Sequence, residues 1–200
     1  MNTKEKIMDV ALHMFSERGY EAVSIRDICG EVGIKESTLY YHFKNKKDIL
    51  DSLIEKFRNH IDGLLSHIDE IPQKPSGKTK KKNSGKTDVI DSYMMDSYLF
   101  DPFCNLMIRL MMIEQFHNEE IRVLYEKTLF TDPYEIYMNV FKRLAAQGAF
   151  PEEQAEIIVR QYHAYMTMLT FRYLLNGELT EDRKKAYKKE VHALMSGEVI

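Results

Sequence analysis

The sequence predicts an all-α fold in two parts, a three-helix helix-turn-helix domain at the N-terminus and a larger helical domain behind it. Three observations carry that expectation. Apolar residues recur at the i, i+3, i+4, i+7 spacing of buried helix faces through most of the chain. Pro102, Pro133 and Pro151 stand where helices start, in a chain with five Pro and no Trp. Residues 24–50, SIRDICGEVGIKESTLYYHFKNKKDIL, read as two short helices joined at a Gly, followed at once by a third, longer one.

The first helix is expected from about Thr3 to Arg18, with Ile7, Val10, Ala11, Met14 and Phe15 on its buried face. Ser24 then offers an N-cap hydroxyl with Asp27 three residues on, the pattern that satisfies the orphan amides of a new helix. Ile25, Ile28 and Val32 make one apolar stripe, and Gly33 stands where the chain must turn back through positive φ. The next helix, near 36–43, directs Ile34, Leu39 and Phe43 inward and Lys35, Glu36, Ser37, Thr38, Tyr40, Tyr41 and His42 outward. A small helix pair with one polar, aromatic and hydroxyl-rich face describes a helix-turn-helix, whose second helix enters the DNA major groove. The fourth helix runs from about Lys46 to Ile68 with Ile49, Leu50, Leu53, Ile54, Phe57, Ile61, Leu64 and Leu65 at helical spacing. Its length suits it to both parts of the chain. The domain boundary is accordingly placed at 1–47 and 48–200.

Beyond Ile71-Pro72, residues 72–87 form a Pro/Gly/Ser/Lys-rich stretch with no apolar residue to bury, which predicts a disordered, solvated loop. Helices are expected near 88–100, 102–117, 119–130, 132–148, 152–176 and 180–196. The span 152–176 is apolar on most faces, through Ala155, Ile158, Val159, Tyr162, Tyr165, Met166, Leu169, Phe171, Tyr173 and Leu174, and must be covered on most sides.

A net charge of −3 argues at first against a nucleic-acid partner, but its distribution removes the objection. Residues 1–50 balance eight Lys/Arg against eight Asp/Glu, residues 72–87 hold six Lys and no acid, and the remainder holds 14 basic and 23 acidic residues. The acidity lies away from the helix-turn-helix, where Lys35, Lys44, Lys46 and Lys47 make the local patch that phosphates need. No apolar run is long enough to span a bilayer, and the opening MNTKEKIMDVALHMF reads as an amphipathic helix and not a signal peptide. Cys29 and Cys104 give neither a metal spacing nor a disulfide framework, so a reducing cytoplasm is the expected home.

GIKESTLYYHFKNKKDIL resembles the DNA-binding signature of the TetR family of transcriptional regulators: a Gly-apolar turn, a hydroxyl-bearing recognition helix, L-Y-x-H-F, then a Lys opening the next helix. Phe15, Gly19 and Tyr20 match the family's ending of its first helix, so the resemblance runs continuously over residues 3–54. Lys35 replaces a frequent Ser N-cap, and Glu36-Ser37 stand where Lys-Gly is common. The resemblance implies a two-domain regulator, most often a repressor. Its C-terminal domain would bind a small effector and form a homodimer through 152–196, and the dimer would read a pseudo-palindromic double-stranded operator. It implies no enzymatic activity, no cofactor and no membrane partner.

The expected DNA-contacting residues are Ser24, Arg26, Lys35, Glu36, Ser37, Thr38, Tyr40, Tyr41, His42 and Lys46. Ser37 and Thr38 suit base edges and a thymine methyl. Tyr40 and Tyr41 suit sugar-phosphate, with Tyr40 the better candidate for partial burial. His42 and Lys46 suit phosphates, which fix register without reading sequence. Ser24 adds a helix N-terminus as a phosphate site. Glu36 either favours the positive end of its helix or accepts from a cytosine amine.

In the second part, Met and Tyr abound, and adaptable Met with amphipathic Tyr suits a pocket for a bulky, largely apolar molecule. Tyr93, Met94, Met107, Met111, Tyr137, Phe141, Tyr162, Tyr165 and Met166 are the candidate lining. Arg109 and His163 could orient an anion, or Arg109 could pair with Glu114 or Asp96. Glu114-Gln-Phe-His117 has the Glu-x-x-His spacing of di-iron bundles, but a second copy is missing from the sequence, which disfavours a metalloenzyme. The sequence is also compatible with an activator, with a ligand-independent DNA binder, and with a helical interaction module carrying a vestigial DNA domain.

Overall fold

The structure, a computed structural model, describes residues 2–70 and 94–196, with side chains described over 2–66 and 94–194. All regular structure among these residues is helical. The predicted loop 72–87 and candidate Tyr93 lie outside the described residues. The chain divides into two compact units, Met1–His67 with Pro102–Val123, and Ile68–Asp101 with Leu124–Ile200.

The first unit starts with α1 (Thr3–Arg18), held at its N-terminus by a capping box in which the Asn2 side chain accepts from the Glu5 amide and Glu5 reaches back to the Asn2 amide. α2 (Ile25–Val32) has the predicted box: the Asp27 amide donates to Ser24 Oγ at 3.1 Å, and the Ser24 amide to Asp27 Oδ2 at 2.8 Å. Gly33 ends it at φ 77°, ψ 38°, so that the amides of Gly33 and Ile34 both reach the Cys29 carbonyl. α3 (Glu36–His42) follows after two residues. α4 (Lys46–Glu70) opens where the Asp48 amide donates to the Asn45 side chain at 2.9 Å. α5 (Pro102–Glu114) packs along α1.

The core of this unit takes Ile7, Phe15, Ile28, Leu39, Phe43, Ile49, Leu53 and Phe57 from α1 to α4, each essentially buried. All eight fall on inward faces by their spacing in the sequence. Each such side chain contributes roughly 1.5–3 kcal/mol through removal from water. Met107, Ile108, Leu110 and Met111 of α5 are equally buried.

α6 (Glu119–Glu126) begins in the first unit and ends in the second, which continues with α7 (Asp132–Ala146), α8 (Ala155–Leu169) and α9 (Glu181–Ser196). Three wide π-helical turns interrupt the second unit, at Met95–Leu99, Lys127–Thr131 and Thr170–Leu175. Two have local chemistry behind them. Pro133 lacks the N–H that would close onto the Leu129 carbonyl, and that oxygen instead faces His163 Nε2 at 3.4 Å. The Thr170 hydroxyl donates to the Met166 carbonyl at 2.9 Å, competing with the backbone ladder where the π turn begins. The core here joins Tyr137, Val140 and Phe141 of α7, Val159, Tyr162 and Met166 of α8, and Tyr187 and Val191 of α9.

The expected boundary between the 1–47 and 48–200 domains falls inside α4, which starts at Lys46 and whose residues up to His67 belong to the first compact unit. The 1–47 division is thus one of expected role and not of packing. No described helix is long and apolar enough to cross a membrane.

Candidate nucleic-acid interface and a buried cavity

α3 is pinned by two residues, Leu39 at 0% and Phe43 at 2% exposure, which leaves the rest of its short surface available. Lys35, Glu36, Ser37, Tyr40 and Tyr41 are exposed or nearly so; Thr38 and His42 are half-buried. Tyr41 is 85% exposed with its ring edge-on to His42, while Tyr40 is the less exposed of the two phenols at 52%. Lys35 occupies the N-cap without a side-chain cap bond, the Thr38 amide donating to its carbonyl at 2.9 Å, so the departure from a Ser cap places a cation at the start of α3.

Arg26 and Glu36 face one another at 3.6 Å, joining the starts of α2 and α3 on the exposed surface. Glu36 therefore has two positive neighbours, the N-terminal end of its own helix and a guanidinium. An exposed pair of this kind contributes little to stability, about 0–1 kcal/mol. Ser24 lies at the α2 N-terminus as expected, yet its amide and hydroxyl are both taken by Asp27, at 2.8 and 2.6 Å. The Ser24 bonds hold the Asp27 carboxyl below its ordinary range.

Lys46 is tied inward. Its Nζ donates to the Tyr20 carbonyl at 2.8 Å and lies 4.1 Å from the Tyr20 ring centroid. The Tyr20 amide in turn donates to Glu114 Oε1 at 2.8 Å. The sequence announces neither role: Lys46 reads there as a phosphate anchor, and Glu114 as part of a Glu-x-x-His spacing or a partner for Arg109.

In the second unit, a cavity of about 40 Å³ is lined by all three π turns, through Tyr98 and Leu99, Thr128 and Leu129, and Thr170 and Phe171. Of the candidate ligand residues, Met94, Tyr137 and Met166 line it. Tyr162 and Phe141 stand behind them in the core, with ring centroids of Tyr137 and Tyr162 4.9 Å apart. Tyr165 is half-buried and its hydroxyl donates to Glu190 at 3.3 Å. Met107 and Met111 belong to the first unit and are absent from the lining, because helical spacing alone cannot say which core a buried Met joins.

His163 also lines the cavity. Burial pushes its imidazole below the ordinary His range, with the Leu129 carbonyl acting weakly the other way. The neutral ring can donate one N–H to that carbonyl. No Asp, Glu, Lys or Arg is among the described lining residues. Asp96, one suggested partner for Arg109, pairs with Lys188 at 3.1 Å.

Residues 7–53 match the family model described as "Bacterial regulatory proteins, tetR family". The biofilm operon icaADBC HTH-type negative transcriptional regulator IcaR of Staphylococcus epidermidis is 43% identical over 68 residues, covering 34% of this chain and 37% of that protein. The Staphylococcus aureus (strain Newman) IcaR is 37% identical over 62 residues, 31% of this chain and 33% of its own. The match thus spans about a third of these relatives' length. Whole-chain likeness is found in solved structures. A transcriptional regulator (TerR/AcrR family) from Aquifex aeolicus VF5 aligns with TM-score 0.61 and 17% identity, covering 96% of this chain and 99% of that one. The probable transcriptional regulatory protein RHA5900 gives 0.62 and 22%, over 97% of each. At these identities the likeness establishes the fold alone.

Proposed function

We propose that the chain, whose residues 7–53 match the model of the tetR family of bacterial regulatory proteins, is a regulator of that kind and represses transcription as a homodimer on a pseudo-palindromic operator. On this reading the chain binds DNA and catalyses no reaction. The observation that carries the reading is α3 itself, a helix held by Leu39 and Phe43 whose hydroxyl, phenol and cationic side chains are left for a partner. Ser37 and Thr38 near its N-terminal end reach base edges, while Lys35, His42 and the phenols hold the backbone. Repression is the direction named for the two IcaR proteins.

α8 supports the dimer. Ile157, Gln161, Ala164 and Met168 recur at helical spacing and are all exposed, Ile157 at 58% and Met168 at 44%. A stripe of two large apolar residues flanking Gln and Ala fits the self-complementary face that a two-fold axis demands. The partner would cover what the chain's own core leaves open over 152–196.

The effector site is the cavity of the second unit. Its lining of Met, Leu, Phe, Pro, Tyr and Thr with one neutral His suits an uncharged, largely apolar molecule, and at about 40 Å³, against roughly 300–1,000 Å³ for small-molecule sites, the cavity must widen to admit one. An effector releases DNA only by binding one of two conformations more tightly than the other. The working place of such a regulator is the cytoplasm. Selection of duplexes from a random library by the purified chain, with mass measured on the enriched complex, tests the reading. Enrichment of a two-half-site motif bound by two chains supports it, whereas enrichment of single half-sites by one chain removes the dimer.

A further inference from the structure

We infer that Glu114 is a positioning residue for DNA binding, acting through the backbone of Tyr20 and not through the nucleic acid. The inference rests on the DNA-binding reading above. Tyr20 lies in the connection between α1 and α2, and both its peptide groups are held from elsewhere. Glu114, the last residue of α5, accepts its amide at 2.8 Å, and Lys46, the first residue of α4, donates to its carbonyl at 2.8 Å. The ring is held too, edge-on to Phe15 at 5.3 Å and beneath the Lys46 ammonium at 4.1 Å. One residue is thereby fixed to three helices, α1, α4 and α5. α3 hangs between that point and α4, connected by Gly33 on one side and 43–45 on the other.

The cost of the arrangement argues that it has a purpose beyond filling space. Glu114 is 5% exposed, and a buried carboxylate is expensive unless its oxygens are bonded. An apolar side chain would fill the same volume without that cost. Gly19 makes room for the contact: a Cβ built there would meet Glu114 Oε1 at 3.2 Å and Ile113 Cγ2 at 3.3 Å. A carboxylate, a glycine and a lysine distant in sequence thus converge on the two peptide units that flank Tyr20. Loosening the Tyr20 backbone leaves the α1–α2 connection, and with it the attitude of α2 and α3, to fluctuate among orientations of which only some fit the groove.

The test uses the full-length chain and the duplex that the wild type enriches from a random library. Glu114→Ala should raise exchange of the Tyr20 amide and lower duplex affinity about tenfold at a temperature far below its melting point, with the salt slope unchanged because phosphate contacts are the same. Glu114→Gln, which keeps an acceptor, should restore most of both. Should circular dichroism find Glu114→Ala unfolded, Glu114→Met replaces it, filling the volume without a strong acceptor. A folded variant that loses Tyr20 protection but binds the duplex within about twofold of wild type overturns the inference, as does unchanged protection. If the wild type enriches no duplex, the DNA-binding reading itself fails and takes this inference with it.

Discussion

Gly19→Ala should destabilise the protein by about 2 kcal/mol, and the structure gives the reasons separately. Gly19 closes α1, its amide donating to the Phe15 carbonyl at 2.9 Å, with φ 81° and ψ 158°. That region is essentially open to Gly alone, and a side chain held there costs about 1–3 kcal/mol. The new Cβ would also press on Glu114 Oε1 and Ile113 Cγ2 at 3.2 and 3.3 Å, tighter than ordinary van der Waals contact. The Ile113 methyl can yield, but the carboxylate can yield only by lengthening its bond to Tyr20. For a chain of this size, about 2 kcal/mol corresponds to a fall in Tm of roughly 4–8 °C. Gly30→Ala is the matched control: it lies in α2 with nothing within 4 Å of its built Cβ, so the variant should gain about 0.5–1 kcal/mol from helix propensity. Thermal and urea unfolding of both variants against wild type supply the numbers. If Gly19→Ala were as stable as wild type, the backbone argument and the closeness of Glu114 would both be wrong.

Three further outcomes are expected. Lys35→Ala, removing an exposed cation from the N-cap of α3, should weaken binding to all duplexes and lower the salt slope by about 1, whereas Thr38→Ala should change which duplex is preferred. Ile157→Glu combined with Met168→Glu should give a monomer by light scattering at micromolar concentration, since like charges would face each other across the proposed two-fold axis. His163 titrates below the ordinary His range when folded, so the unfolded chain binds its proton first as pH falls. Its favourable contribution is therefore present above pH about 6.5 and is lost as pH drops below that value. The His163→Gln variant should lose less Tm than wild type between about pH 7.5 and 5.5, values chosen to bracket that ordinary range.

The N-terminal unit is legible in the sequence because its signals are local. Ser24 and Asp27 form the box that their spacing announces, Gly33 takes the left-handed turn, and Leu39 and Phe43 are buried as the periodicity requires. The outward set on α3 follows from the same periodicity. What local spacing cannot carry is a partner far along the chain. Glu114 bonds an amide 94 residues away, and a Glu-x-x-His pattern gives no hint of it. Lys46 reads as a free cation because the Tyr20 carbonyl that holds it lies 26 positions earlier. The family resemblance does mark Gly19 and Tyr20, but their physical reason appears only with α5 against α1. In the second unit, helix positions are readable while the π turns are not, though Pro133 and Thr170 are their visible causes at two sites. Met94 and Met166 line the cavity whereas Met107 and Met111 fill the core of the first unit. Periodicity cannot separate the two pairs, since a buried Met looks alike in either core.

The most direct test of the central claim is the dependence of duplex affinity on salt, measured by fluorescence anisotropy with the full-length chain and its enriched duplex. Log affinity should fall linearly with log salt, with a slope of about −0.9 for each phosphate held, and a scrambled duplex should bind more weakly at every salt concentration. Affinity that is flat in salt, or equal for the enriched and scrambled duplexes, would contradict a chain whose α3 reads the major groove.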